Sequence, residues 1–163
     1  MFYKDKRVLV AGGTGLIGAT VIEELLKRGA RVKATVHKKP PVVQNKAVDY
    51  VKCDLTKKKG CADAIKDVDY VVLCAANTSG AAVMTKNPMV HITTNLLINS
   101  QMLEAACLAK VDRFLFVSST TVYPPVQYPV KEEEAFNGDP HDSYYGVGWM
   151  KRYTEILARF YHK

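Results

Sequence analysis

The stretch RVLVAGGTGLIG, residues 7–18, decides the fold. Arg7 to Ala11 form a short apolar run of the kind that a strand buried in a parallel sheet requires. The run passes without a spacer into glycines and then into Leu16, Ile17, Val21, Ile22, Leu25 and Leu26. Those apolar residues recur at helical spacing and leave Glu23, Glu24, Lys27 and Arg28 for the outer face, and Gly29 ends the helix. Gly13, Gly15 and Gly18 fit GxGxxG, while Gly12, Gly15 and Gly18 fit GxxGxxG. The glycine pattern alone is weak, but a strand before it and an amphipathic helix after it are the setting in which it signals phosphate binding. Absent side chains permit a tight turn and let a pyrophosphate reach backbone N–H groups at the positive end of the helix. Gly18 allows the helix to pack closely on the strand. Thr14, Leu16 and Ile17 complete this candidate cradle. No GKS or GKT follows, which disfavours a Walker-type ATP or GTP loop.

Working outward, RVKATV (31–36) predicts a second strand, broken by KKPP at 38–41. Residues 48–51 predict a third strand leading to Cys53 and Asp54, 60–68 a short helix, and 70–74 a fourth strand. Asn87 and Pro88 punctuate a loop before a long helical pattern from His91 to Lys110. A fifth strand, 114–117, ends in SSTTVYPP; an irregular proline-rich and charged segment, 123–143, precedes a last helix starting near Gly146 to Gly148. Strands that alternate with helices imply an α/β, Rossmann-like, doubly wound parallel sheet in order 3-2-1-4-5, with helices on both faces. The ligand site is expected beyond the C-terminal ends of the strands.

A length of 163 residues predicts one dinucleotide-binding domain spanning 1–163. Hydrophobic residues at 48% and charged residues at 24% fit a folded protein and argue against disorder. No apolar run approaches the roughly 20 residues of a membrane span, and the N-terminus lacks the pattern of a signal peptide, so the expectation is a cytoplasmic protein with no membrane partner. The net charge of +7 helps attract a phosphorylated ligand. Its lysines and arginines are scattered without aromatic interleaving, which disfavours nucleic acid. Cys53, Cys61, Cys74 and Cys107 read as reduced thiols, and His91, His141 and His162 show no metal-ligand spacing.

The end of the second strand should meet the adenosine ribose. A carboxylate there would bond the free ribose hydroxyl of NAD, whereas this chain offers Thr35, Val36, His37, Lys38 and Lys39. Cationic side chains match a 2'-phosphate, favouring NADP over NAD, with His37 and Lys38 as candidate clamps; the competing reading is an exposed basic turn. Asp54 is placed to accept a hydrogen bond from an adenine amino group with Leu55 beside the ring, or serves only as a turn aspartate.

With the glycines, Ala75 and Ala76, and SSTTVYPP in view, the whole chain resembles the extended short-chain dehydrogenase/reductase family, which contains nucleotide-sugar epimerases, dehydratases and reductases. NLLINSQMLEAA (95–106) is similar to the family's helix after the fourth strand, and CDLT (53–56) to its adenine-contacting segment. The stretch from Ser119 through YPVKEEEAFNGDPHDSYYG to WMKR looks most like GDP-L-fucose synthases. The resemblance implies an NAD(P) cofactor, contacted also by Ala75 and Ala76, a nucleotide-sugar substrate, and Asn95 steadying the active site. It also implies that Ser119 positions the sugar oxygen and that Lys151, with Glu155 four residues on, holds the nicotinamide ribose and lowers the pKa of a catalytic tyrosine. Free tyrosine titrates near pH 10, so a neighbouring cation is what makes it useful.

The family's tyrosine would stand four residues before Lys151, where this chain has Val147. Tyr144 and Tyr145 are the upstream candidates, provided the segment is locally non-helical as Gly146 and Gly148 permit. Thr121 occupies the position of the synthases' acid/base cysteine, so an oxidoreductase or 4-epimerase-like hydride transfer is the expected chemistry. A catalytically silent dinucleotide-binding module is the alternative. Family members run much longer, so the chain is expected to lack a C-terminal substrate domain and to cover exposed apolar surface by forming a homo-oligomer.

Overall fold

The computed structural model describes residues 2–78, 86, 87 and 89–163. Its elements are β1 (Arg7–Ala11), α1 (Leu16–Lys27), β2 (Arg31–Val36), β3 (Val48–Lys52), α2 (Lys58–Ile65), β4 (Tyr70–Leu73), α3 (Met89–Leu108), β5 (Arg113–Phe116) and α4 (Tyr145–His162). Three short 3-10 turns, Thr120–Val122, Glu132–Phe136 and Asp142–Tyr144, interrupt the segment before α4. The chain divides into two compact units, Met1–Ala76 with Leu97–Val117 and Asn77–Leu96 with Ser118–Lys163.

The first unit holds the sheet, whose order is β3-β2-β1-β4-β5, as the sequence predicts. All neighbours are parallel, with Val8 opposite both Val32 and Tyr70. Val48 and Arg113 continue that row on β3 and β5. Residues 8 to 11 of β1 are fully buried because successive side chains enter opposite layers. Leu9 and Ala11 join Leu55, Ile65, Leu73 and Met102, while Val8 and Val10 join Ile22, Leu25, Val32 and Ala34. At the far end of the sheet, Asp69 accepts from the Arg7 backbone N–H at 2.8 Å and from its guanidinium at 2.9 Å, latching β1 to the entry of β4.

The helix ends follow local backbone chemistry. Gly29, at φ 75°, closes α1, with Ala30 N–H on the Leu25 carbonyl and Gly29 N–H on the Leu26 carbonyl. The same closure ends α3, but a lysine makes it. Lys110 sits at φ 53°, Val111 N–H reaches the Ala106 carbonyl, and the helix stops at Leu108 instead of at Lys110. The second helix runs from Lys58 to Ile65, earlier than the predicted 60–68, because Asp67 takes a left-handed turn at φ 60° before Val68 enters the core. Among the described residues, no helix is long and apolar enough to cross a membrane.

Candidate functional site

The glycine loop lies in the first unit, directly beyond β1. Gly12 has φ 95°, and a Cβ there would fall 2.7 Å from both the Cα and the N of Ala75, where the chain leaves β4. Gly18 is equally constrained, since its Cβ would lie 2.2 Å from the Gly12 carbonyl oxygen. The loop is held from β2: Gly12 N–H donates to Thr35 Oγ1 at 2.8 Å and Gly13 N–H to the Thr35 carbonyl at 3.0 Å. At Gly15 a Cβ would meet nothing closer than 3.6 Å, so that position is bare toward the outside.

Helix α1 starts at Leu16 with Gly15 as its N-cap, without a side-chain cap bond and without an acidic residue in the first turn. Its N-terminal dipole is therefore not offset by a carboxylate in the helix's own first turn. Leu16 and Ile17 stand 87% and 51% exposed above it. Thr14 is half-buried beside them. An exposed glycine N-cap and a helix start without a first-turn anion fit the pyrophosphate of a dinucleotide, with Leu16 and Ile17 beside it.

His37 and Lys38 are exposed on the bend after β2. His37 acts electrostatically on Asp54, whose carboxyl lies below its ordinary range chiefly because the Thr56 hydroxyl and backbone N–H both donate to it; His37 and Lys57 charges add to this. The two Thr56 bonds, 2.7 and 2.9 Å, run to Oδ1 and close the turn that leads into α2. Leu55 is only 7% exposed and packs in the core, so its side chain supports this edge from beneath. Ala75 is half-buried against Gly12, and Ala76 is exposed.

The second unit contains the remaining predicted site residues. Asn95, buried on α3, grips the backbone of Asn77 from both sides: Oδ1 accepts from Asn77 N–H at 2.7 Å, and Nδ2 donates to its carbonyl at 3.0 Å. His91 Nδ1 lies 2.9 Å from the same carbonyl. Asn77 and His91 escaped the sequence reading because the clamp is made to a backbone group, which no residue pattern marks.

Ser119 caps the 3-10 turn Thr120–Val122, its Oγ accepting from Thr121 N–H at 3.2 Å and from Thr121 Oγ1 at 3.0 Å. Neighbouring Ser118, also missed, donates its hydroxyl to Glu155 of α4. Lys151 is half-buried on α4. Burial pulls its pKa below the ordinary lysine value, and the charge of Glu155 opposes that shift.

The tyrosines are not equivalent. Asp142–Tyr144 form a 3-10 turn, and Tyr144 keeps a non-helical backbone (φ −123°, ψ 10°) as the N-cap of α4, with its ring 6.2 Å from His141. Tyr145 is the first helical residue, and its ring meets Trp149 edge-on at 6.4 Å. Val147 is half-buried within the helix proper.

The Lys151 shift carries a stability consequence. The folded state releases this proton at a lower pH than the unfolded chain does, so between the lowered pKa and 10.5 the unfolded chain binds more protons, and stability rises with pH there. Lys151→Met is expected to abolish that part of the rise. Urea unfolding of both proteins at a series of pH values from neutral to the ordinary lysine value measures the difference, and parallel curves would contradict the burial effect.

A family model described as the NAD dependent epimerase/dehydratase family matches residues 8–163. The chain is 29% identical to GDP-mannose 3,5-epimerase 1 of Oryza sativa subsp. indica over 96% of its own length and 43% of that protein's. It is 29% identical to the probable GDP-L-fucose synthase of Drosophila melanogaster, covering 96% of this chain and 47% of the relative. Among solved structures, the GDP-mannoheptose C4 reductase from Campylobacter jejuni with NADP bound superposes with a TM-score of 0.79 at 26% identity, over 96% of this chain and 47% of that one. The chain thus spans less than half the length of these relatives.

Proposed function

The chain belongs to the NAD dependent epimerase/dehydratase family, and on that premise we propose that it is the cofactor-binding part of an NADP-dependent oxidoreductase or epimerase acting on a nucleotide-sugar. The observation that carries this reading is the start of α1, where the N-cap Gly15 is exposed, makes no side-chain cap bond and is followed by no acidic residue in the first turn. Gly12, Gly13, Thr14, Gly15 and Gly18 shape the pyrophosphate cradle, with Leu16 and Ile17 on its rim. Ala75 and Ala76, just past β4, and Asn95 on α3 are further cofactor contacts, and Asp54 forms the adenine edge, which the core side chain of Leu55 supports from beneath.

In this reading His37 and Lys38 hold the 2'-phosphate. Lys151 holds the nicotinamide ribose and supplies the cation that eases a phenol toward proton transfer. Ser119 orients the sugar hydroxyl, and Tyr144 or Tyr145 exchanges its proton. The nicotinamide supplies hydride acceptance and return at the sugar carbon. The sugar-nucleotide relatives support the substrate class. Exposed Tyr145, Trp149, Tyr153, Ile156 and Phe160 recur along α4 at spacings of three or four residues, which supports pairing with a second copy.

Calorimetric titration tests the cofactor assignment. NADP is expected to bind more tightly than NAD, and replacing both His37 and Lys38 with alanine should erase about a tenfold preference, the scale of one charge-assisted hydrogen bond. A folded chain that binds neither dinucleotide would refute the reading. A second reading, a silent dinucleotide-binding module, is favoured by Val147 at the tyrosine position. Tight NADP binding with no turnover of any nucleotide-sugar by the whole protein would select it.

A further inference from the structure

The segment 118–122 is fastened to one face of α4 at three successive levels. At the first turn of the helix, a Cβ on Gly148 would fall 2.4 Å from the Thr121 carbonyl oxygen and 2.5 Å from Pro140 Cβ, so backbone and helix approach as closely as only glycine allows. One turn on, Arg152 Nε donates to the Val122 carbonyl at 2.8 Å. One turn further, Glu155 accepts from the Ser118 hydroxyl. Positions 148, 152 and 155 follow the i, i+4, i+7 spacing of a single helical stripe, and Lys151 adjoins it.

Arg152 is the costly member of this stripe. It is 1% exposed, and its Nη2 has no hydrogen-bond partner among the described residues. A buried donor left unmatched opposes stability. Part of that cost is offset by the rings of Trp149 and Phe136, whose centroids lie 4.8 and 5.3 Å from the guanidinium. Charge alone gives no reason for such burial, whereas the Nε bond to Val122 does. It closes the 3-10 turn from below, while Ser119 caps the same turn from its other end.

We propose that Gly148, Arg152 and Glu155 form a positioning seam that sets the Ser119 turn in register with Lys151. Arg152 acts as a positioning residue through the Val122 carbonyl and touches no reacting atom. This inference rests on the reading of Ser119 and Lys151 as the catalytic pair, but its structural half can be judged without it.

The test compares two side chains of matched length in the whole protein. In Arg152→Gln the amide nitrogen occupies the same place along the side chain as Nε and keeps the donor; in Arg152→Met a methyl group stands there and the donor is lost. Hydrogen exchange of the Thr121, Val122 and Tyr123 amides, which donate to Ser119 Oγ, the Ser119 carbonyl and the Thr120 carbonyl, reads the turn directly. Those amides are expected to exchange about tenfold faster in Arg152→Met, with α4 amides unchanged, and at the wild-type rate in Arg152→Gln. Gly148→Ala should give the same local signature by steric displacement. Equal behaviour of the glutamine and methionine variants, or loss of protection spread evenly over α4, would overturn the seam.

The catalytic half is read by kcat against cofactor Kd. Arg152→Met should lower kcat about tenfold with NADP Kd unchanged, and Arg152→Gln should restore it. Local exchange as expected in a wild-type protein that binds NADP without turnover would instead overturn the catalytic assignment of Ser119 and Lys151, leaving the fastening itself established.

Discussion

Gly12→Ala is expected to weaken dinucleotide binding at least a hundredfold, a loss of about 2.8 kcal/mol. Two independent effects combine. The backbone at φ 95° is one that L side chains rarely adopt, and the added Cβ would meet the Ala75 backbone at 2.7 Å. Backbone atoms at the end of β4 cannot swing aside as a flexible side chain would. The loop must retreat, breaking the bonds from Gly12 and Gly13 to Thr35 and disturbing the surface proposed to meet the phosphates. Calorimetric titration with NADP measures the loss, and thermal unfolding separates it from a general collapse. Gly15→Ala is the informative control, because φ there is −85° and the nearest atom to its Cβ is 3.6 Å away. Its stability should match that of the parent, so any weakened binding reports only the approach of the ligand. Wild-type affinity in Gly12→Ala would remove the glycine loop from the binding site.

Installing a phenol at position 147 is expected to produce the opposite change. Val147→Tyr should raise NADP-linked turnover of a nucleotide-sugar by the whole protein about a hundredfold, the low end of what a positioned general acid or base contributes. Residues four apart on a helix are surface neighbours, and both 147 and 151 lie within α4. Neither Tyr144 nor Tyr145 stands four residues before Lys151: Tyr144 is the non-helical N-cap near His141, and Tyr145 opens the helix against Trp149. A tyrosine at 147 would have the cation of Lys151 to lower its pKa. Absorbance of the reduced nicotinamide gives the rate. No gain in Val147→Tyr, combined with loss of the parent's rate in Tyr144→Phe, would instead assign the proton to Tyr144 and show that the shifted register is functional.

The sheet was readable because its strands are apolar runs interrupted by glycine and proline, and because parallel strands need helical crossovers, which restricts the order. The closure of α3 falls two residues before the end of the helical pattern. Lysine seldom adopts the left-handed conformation that Lys110 takes, and nothing in AKVDR advertises it. In the glycine loop the sequence marks four candidates alike, while the geometry separates Gly12 and Gly18, which the backbone requires, from Gly15, which leaves open space. Leu55 reads as an adenine neighbour from its motif, but a leucine after a strand is equally suited to the core where its side chain lies. Arg152 was invisible as a buried group, since KR on a helix reads as two solvated charges. Its partner at Val122 is a carbonyl 30 residues away.

The latch between Arg7 and Asp69 says something about time. These residues stand 62 positions apart, whereas Arg7 and its β2 partner Arg31 stand 24 apart. On loop-closure entropy alone, the longer join costs about 0.8 kcal/mol more. On a growing chain, β1 and β2 can meet as soon as both have emerged, but the other edge of β1 must wait for β4. β1, made before both of its neighbours, lies between them and is sealed late. Until β4 arrives, Leu9 and Ala11 lack Leu73, one of the neighbours that will cover them. The nascent chain therefore carries an open edge of β1 until β4 is made, and the two bonds of Asp69 mark the moment at which that edge closes.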